Sequence, residues 1–237
     1  FQGGVIHKVL AEWMEQPILG SDIFDKVFEE ACARAHLPGG YRTEAVRLEM
    51  LRNFQAFLED RTLTLHWPAR TELEFLVELE EGFSLKGQMD RIDIGPGRRA
   101  LVIDYKYSAG NKVRERVEES EAGNLVQGGL YMLAARLKWG YEPIGMLYCG
   151  LKKPITWGGW HTGVDELAQV GEARTADGIE DVIAAARRLA VESHSKIVQG
   201  DTTPRPAAIE KCRFCDFRDI CRIEATESLV RVAGGGS

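Results

Sequence analysis

Two aspartates and a lysine carry the clearest chemical signal in this sequence. The run Gly87-Gln88-Met89-Asp90-Arg91-Ile92-Asp93 is followed by Val102-Ile103-Asp104-Tyr105-Lys106. If residues 85–94 and 100–106 are paired strands joined by a turn at Gly95-Pro96-Gly97, Asp90 and Asp104 lie on neighbouring strands. They can then converge on one hard divalent cation, which prefers oxygen ligands. Lys106 stands two residues beyond Asp104, so strand alternation points both side chains to the same face. An ammonium there can steady an attacking hydroxide or the charge of a transition state. Cation, carboxylates and one lysine are what phosphodiester hydrolysis requires. The plain alternative is a set of solvated strand-end charges, the usual fate of charged residues. Against it, the apolar run Ala100–Ile103 leads straight into Asp104, and a charge ending a buried strand is costly without a partner.

Other candidates are weaker alone. Gln127 and Tyr131 are one helical turn apart and face the same way, which also suits a surface glutamine beside a core tyrosine. His7 lies on an amphipathic stretch, where a histidine is more often a core-edge or surface residue than a ligand. Glu72 opens a strand-like segment and fits surface placement equally well. Cys212-x2-Cys215-x5-Cys221 places three thiols close together, as in a zinc site or three corners of an iron–sulfur cluster; unligated thiols are the bland reading. Cys32 and Cys149 could lend a ligand, but Cys149 sits in an apolar strand and reads as buried structure.

The elements that must position these residues follow from periodicity. Ile6, Val9, Leu10 and Trp13 are helically spaced, predicting a helix from near Gly4. Phe24, Val27 and Phe28 repeat the pattern before the breaker Leu37-Pro38-Gly39-Gly40. A longer helix with Val46, Met50, Phe54 and Phe57 ends near Asp60. Strands are predicted over 72–79, 85–94, 100–104 and 144–151, the third as a buried central strand. Residues 109–123 read as a polar loop, and Val126, Leu130, Leu133 and Leu137 as a helix. Trp157-Gly158-Gly159-Trp160 reads as a turn or hairpin tip, and 165–199 as helical with a break near Gly178. The order of elements indicates an α/β or α+β domain.

The bulk properties set bounds. Thirty basic against 36 acidic residues give a net charge of -6, which argues against a protein that coats nucleic acid nonspecifically. It leaves room for an enzyme that meets phosphates locally through metal ions. No apolar run approaches the roughly 18 residues of a membrane span, and no secretory leader opens the chain. Five cysteines without such a leader suggest a reducing compartment, so a cytoplasmic location is expected. The start lacks Met, and residues 233–237 read as a flexible linker or an added tail; a piece of something larger is expected.

Taken as an ordered set, Gly87-x-x-Asp90-Arg91-Ile92-Asp93, Ile103-Asp104-Tyr105-Lys106 and Gln127-x-x-x-Tyr131 resemble the nuclease domain of the RecB and AddB helicase–nuclease subunits. This is a branch of the PD-(D/E)xK superfamily that also includes CRISPR-associated exonucleases. Met89 stands where the superfamily's name has Pro, a departure common in this branch. The resemblance runs from Gly4 to the last cysteine. It implies an α/β, restriction-endonuclease-like core, with a central mixed sheet flanked by helices. A single domain over 1–232 would comprise a helical N-terminal part (1–68), a catalytic sheet core (69–155) and a C-terminal cysteine segment (205–223).

The resemblance also implies roles. Asp90 and Asp104 would bind Mg²⁺ or Mn²⁺, the carbonyl of Tyr105 would complete the set, and Lys106 would be catalytic. Gly4-x-x-His7 resembles the helix whose histidine supplies a nitrogen ligand, and Glu72 resembles a strand-opening glutamate of many relatives. Gln127 and Tyr131 would lie beside the active site and place substrate or the lysine. Cys212, Cys215 and Cys221 would join a fourth cysteine upstream of the histidine helix in a [4Fe-4S] cluster that pins the ends of the domain together. No cysteine precedes Gly4, so an incomplete cluster is expected, or zinc with a borrowed ligand. The implied activity is that of a metal-dependent nuclease cutting DNA, single strands above all, fed by a helicase subunit or a helicase domain of the same parent chain. Two rivals share the fold: a non-catalytic module for DNA binding or docking, which the intact Asp-x-Lys argues against, and a stand-alone exonuclease of CRISPR adaptation.

Overall fold

The apolar run of residues 100–103 lies in the third of six strands of one mixed sheet. In this computed structural model the described residues are 1–17, 20–63, 65–201, 203–206, 212–213 and 215–221. Three helices come first: α1 (Gln2–Glu15), α2 (Gly20–Arg34) and α3 (Tyr41–Glu59). Strands β1 (Ala69–Glu80), β2 (Phe83–Ile94) and β3 (Arg99–Lys106) form an antiparallel meander. Helices α4 (Gly110–Glu121) and α5 (Gln127–Trp139) then carry the chain across to β4 (Glu142–Gly150), parallel to β3. Antiparallel β5 (Thr156–His161), short β6 (Glu172–Ala173) and the helices α6 (Ala176–Val198) and α7 (Arg218–Cys221) complete the order. Spatial order equals chain order, β1 to β6.

Because successive residues of a strand face opposite ways, β3 is buried on both sides. Leu101, Ile103 and Tyr105 meet Ile6, Val9 and Leu10 of α1 and the aromatic residues of α2 and α3, where the Phe24 ring stacks on Phe28 and Phe54. Ala100 and Val102 face the opposite core, with Met132 of α5, Met146 of β4, and Ile179 and Ile183 of α6. Each large aliphatic side chain among them contributes about 1.5–3 kcal/mol on burial, so the strand carrying Asp104 is firmly fixed. This helix-flanked mixed sheet is the expected α/β, restriction-endonuclease-like fold.

Three expectations are corrected. Residues 109–123 are no loop: Gly110–Glu121 is helical. Its apolar stripe is only Val113 and Val117, one turn apart and pressed on Gly158 of β5, too short to register as periodicity among so many charges. The Trp157–Trp160 segment is a strand, not a turn. A β-carbon on Gly159 would lie 2.1 Å from the Met146 carbonyl oxygen, so glycine here permits close strand approach instead of chain reversal. Residues 165–175 are not part of one long helix. They hold a single 3-10 turn at Asp165–Leu167 and then β6. Gly178 does not break α6 but lies in its first turn, where its N–H bonds to the Thr175 hydroxyl at 3.1 Å, an N-terminal cap.

The chain divides into two compact units, Phe1–Val191 and Glu192–Ser237. The sheet belongs to the first. In the second, the Cys215 N–H bonds to the Cys212 carbonyl at 3.2 Å, and that of Cys221 to the Phe217 carbonyl at 2.8 Å. Among the described residues no helix is long and apolar enough to cross a membrane.

Candidate metal and active site

The β2–β3 ladder ends where Arg91 pairs with Ile103. One step further would set Asp90 opposite Asp104, but the main-chain pairing stops and the strands part. The Tyr105 N–H is taken instead by the Asp90 carboxylate, at 2.7 Å. Asp90 Oδ1 lies 3.3 Å from Nδ1 of His7, whose Nε2–H donates to the Tyr105 carbonyl at 2.8 Å. Helix α1 delivers His7 because Val5, Ile6, Val9 and Leu10 are buried and turn the imidazole toward this gap. Burial works against charge on the imidazole, yet the hydrogen bond and charge of Asp90 outweigh it and hold His7 above its ordinary pKa.

Glu72 joins from β1. Its carboxylate and donor atoms of His7 and Asp90 lie within 4.8 Å of one another. Thr71 pairs with Arg91 and Leu73 with Met89, but Glu72 and Asp90 between them are skipped. Glu72 has φ +49°, a left-handed conformation rare for a residue with a side chain. The pleat changes phase here: Met89 and Ile92, three apart, enter the same core under α5 and α6, where strict alternation would send them to opposite faces. Such irregularities re-aim side chains beside functional sites. Gln88 donates to Glu72 at 2.6 Å. Burial, and then the charge of Asp90, raise the Glu72 pKa.

Asp104 stands outside that group of three, on the adjoining strand. Lys106 Nζ lies 2.8 Å from Oδ1 and 2.7 Å from Oδ2 of Asp104, so both side chains share one face. Asp104 is sealed from solvent, and among the described residues its Oδ2 makes no well-directed hydrogen bond despite the nearby ammonium. Burial raises its pKa to about 6; the charge of Lys106 opposes this, Asp90 adds to it, and Arg116 of α4 opposes it more weakly.

Gln127 and Tyr131, on α5, are joined by a 2.9 Å hydrogen bond. The Tyr131 ring packs edge-on against Phe75. Phe75 in turn covers Gly87, where a β-carbon would lie 2.4 Å from the ring. Gly87 of the sequence motif is thus explained by packing. Tyr131 is also near enough to the carboxylates for Asp104, Asp90 and Glu72 to raise its pKa, after burial, the larger cause.

The donor chemistry fits a divalent cation. Three carboxylates, one imidazole and a main-chain carbonyl suit Mg²⁺ or Mn²⁺. The buried Asp104 carboxylate already meets the Lys106 ammonium at 2.7 Å and stands beside this donor group, near enough to feel the charge of Asp90. The cysteines behave otherwise. Among the described residues only His7, Glu72 and Asp90 gather as such a donor group, and Cys212, Cys215 and Cys221 do not. Thiol sites are rarely formed before the metal arrives. None of the five cysteines is in a disulfide, and Cys149 is buried, its thiol pushed well up by burial.

Arg91, Asp93, Gln88 and Arg116 had no assigned role in the sequence reading. One signal was present: the apolar positions of β2 are Phe83, Leu85 and Met89, then Ile92 and Ile94, so the alternation shifts phase at Asp90-Arg91.

The pattern of the PD-(D/E)XK nuclease superfamily matches residues 2–222. No curated protein matches in sequence. Among solved structures, SSO0001 is 17% identical with a TM-score of 0.39, covering 92% of this chain and 84% of its own. A protein of Eubacterium rectale, provisionally named an exonuclease, is 13% identical with a TM-score of 0.48, covering 94% of this chain and 74% of its own. On the match that spans nearly its whole length, the chain belongs to the PD-(D/E)XK nuclease superfamily.

Proposed function

We propose that this chain is a Mg²⁺- or Mn²⁺-dependent deoxyribonuclease that cleaves single-stranded DNA as an exonuclease. In this reading it serves repair or recombination as the nuclease domain of a RecB- or AddB-type helicase–nuclease. The observation that carries the reading is the convergence of His7, Glu72 and Asp90 at the gap between β2 and β3, beside the Asp104–Lys106 pair. His7, Asp90, Asp104 and the Tyr105 carbonyl would hold the cation, with Glu72 beside them. A divalent cation there supplies Lewis-acid polarisation of a phosphoryl oxygen and a more acidic water.

The remaining work falls to side chains. Lys106, on the same face as Asp104, orients the attacking water and offsets negative charge that develops on the phosphate. Asp104 holds that ammonium in place with two short contacts. Gln127 and Tyr131, on α5 near the three carboxylates, place the substrate strand. The motif order from Gly87 to Tyr131 supports the RecB/AddB assignment, and the Cys212-x2-Cys215-x5-Cys221 spacing supports a [4Fe-4S] segment in the parent protein.

The test is degradation of 5′- and 3′-labelled single-stranded and duplex oligonucleotides with Mg²⁺ or Mn²⁺, beside Asp104→Ala and Lys106→Ala. The wild type should shorten single strands from an end while both variants are inert. Equal degradation by all three proteins, or none by the wild type with either metal, overturns the proposal.

A further inference from the structure

The sequence motif continues past Asp90 into Arg91-Ile92-Asp93, and the site described above uses neither charged residue. Both lie with the Tyr105 side chain on the face of the sheet under α1–α3, opposite the side chains of Asp104 and Lys106. Arg91 grips Asp93 with two parallel bonds, Nε to Oδ1 at 2.6 Å and a terminal nitrogen to Oδ2 at 2.7 Å. Its other terminal nitrogen donates to the Tyr105 hydroxyl at 3.0 Å. Asp93 is fully buried, and the Tyr105 ring meets Phe57 edge-on at 5.6 Å.

A buried ion pair is a poor source of stability, because desolvation offsets most of the attraction. Its value here lies in direction. The guanidinium is planar and clamped by a bidentate carboxylate, so its third contact fixes one point in space, the Tyr105 hydroxyl. Tyr105 is therefore held at both ends. Its side chain is anchored behind the sheet, and its main chain faces the site, N–H to Asp90 and C=O to His7.

We infer that the Arg91–Asp93 pair is a positioning device: by anchoring the Tyr105 side chain from behind the sheet, it fixes the Tyr105 amide and carbonyl against Asp90 and His7. Arg91, Asp93 and the Tyr105 hydroxyl touch no reacting atom; they act through the Tyr105 main chain. The inference rests on the proposed function only for what the site binds, since the positioning itself is a property of the protein without metal.

The experiment uses the full chain and two readouts that do not involve activity. Residue-resolved hydrogen exchange reports the residue-105 amide relative to the other amides of β3, and calorimetry reports Mn²⁺ affinity. Tyr105→Phe keeps the ring on Phe57 and removes only the hydroxyl; Arg91→Met removes the clamp. Leu147→Ala, a buried residue on the same side of β4, is a control for general loosening. Both test variants should speed exchange at residue 105 selectively and weaken Mn²⁺ binding by about 10-fold, the range of outer-shell effects on metal sites. Leu147→Ala should lower the melting temperature without either change. Unaltered residue-105 exchange in both test variants, or the same selective change in Leu147→Ala, overturns the device. A wild type that binds no Mn²⁺ removes the proposed function instead, and the exchange arm still decides the positioning claim.

Discussion

Glu72 and Asp90 stand opposite each other in the β1–β2 register, and neither joins the ladder, although the residues on both sides do. The left-handed backbone at Glu72, φ +49°, belongs to this interruption. Holding a residue with a β-carbon in that region costs about 1–3 kcal/mol. The return is that two carboxylates and the His7 imidazole meet within 4.8 Å.

Glu72→Gly should therefore raise the stability of the metal-free protein, by about 1 kcal/mol net of glycine's extra chain entropy, while weakening Mn²⁺ binding. Urea denaturation and calorimetry on the same samples measure both. A variant that is less stable and binds metal normally would show that the strain has no part in the site.

Asp90→Asn keeps an oxygen to accept the Tyr105 N–H and removes the charge. The fold should persist with a melting temperature within a few degrees, and activity should fall by more than about 100-fold, beyond the usual outer-shell loss. Thermal melts and single-turnover cleavage test this. Activity within a few-fold of wild type would remove Asp90 from the ligand set.

Lys106→Met should separate binding from chemistry. The aliphatic stem is retained and Asp104 loses its ammonium partner, so Mn²⁺ affinity should hold or rise while kcat drops by about 10²–10³. If the loss appears in KM alone, the ammonium acts in substrate binding and not on the transition state.

Asp104 gives a pH dependence with a definite sign. Its folded pKa of about 6 stands above the ordinary 3.8, chiefly through burial. The metal-free folded form therefore holds its proton more tightly than the unfolded chain. This stabilising contribution is complete below pH about 4 and is lost as pH rises through about 6, at up to ~1.4 kcal/mol per pH unit. Denaturation curves of the wild type minus those of Asp104→Asn, taken with chelator from pH 4 to 7, isolate the effect. Mn²⁺ competes with the same proton, so its affinity should weaken below pH about 6. A difference curve flat with pH would contradict the assignment.

Tyr131→Phe removes the hydroxyl bonded to Gln127 and leaves the ring on Phe75. Stability should change by less than about 1.5 kcal/mol, the worth of one ordinary hydrogen bond. KM for single-stranded DNA should rise several-fold with little change in Mn²⁺ affinity. Steady-state kinetics beside calorimetry decide between this and a purely structural role.

Much of this protein is written locally. Apolar residues at helical spacing define α1 through Ile6, Val9 and Leu10, and the run Ala100–Ile103 defines a central strand, because burial rewards those periods whatever the rest of the chain does. The Asp104–Lys106 contact is legible for the same reason: two residues along a strand share a face. Elements with weak local signal are not legible this way: α4 has an apolar stripe of two valines and depends on their packing on Gly158.

Tertiary structure decided the rest. No periodicity announces that His7 and Tyr105, 98 residues apart, meet at 2.8 Å, or that the Glu72 carboxylate comes within 4.8 Å of His7 and Asp90. Nor does it reveal that Arg91, held by Asp93, meets the Tyr105 hydroxyl on the face of the sheet under α1–α3. These contacts arise where two strands part and α1 packs over them. Their geometry is set by the packing of four elements, α1, β1, β2 and β3, and a one-dimensional pattern encodes only the neighbours each residue has along its own element.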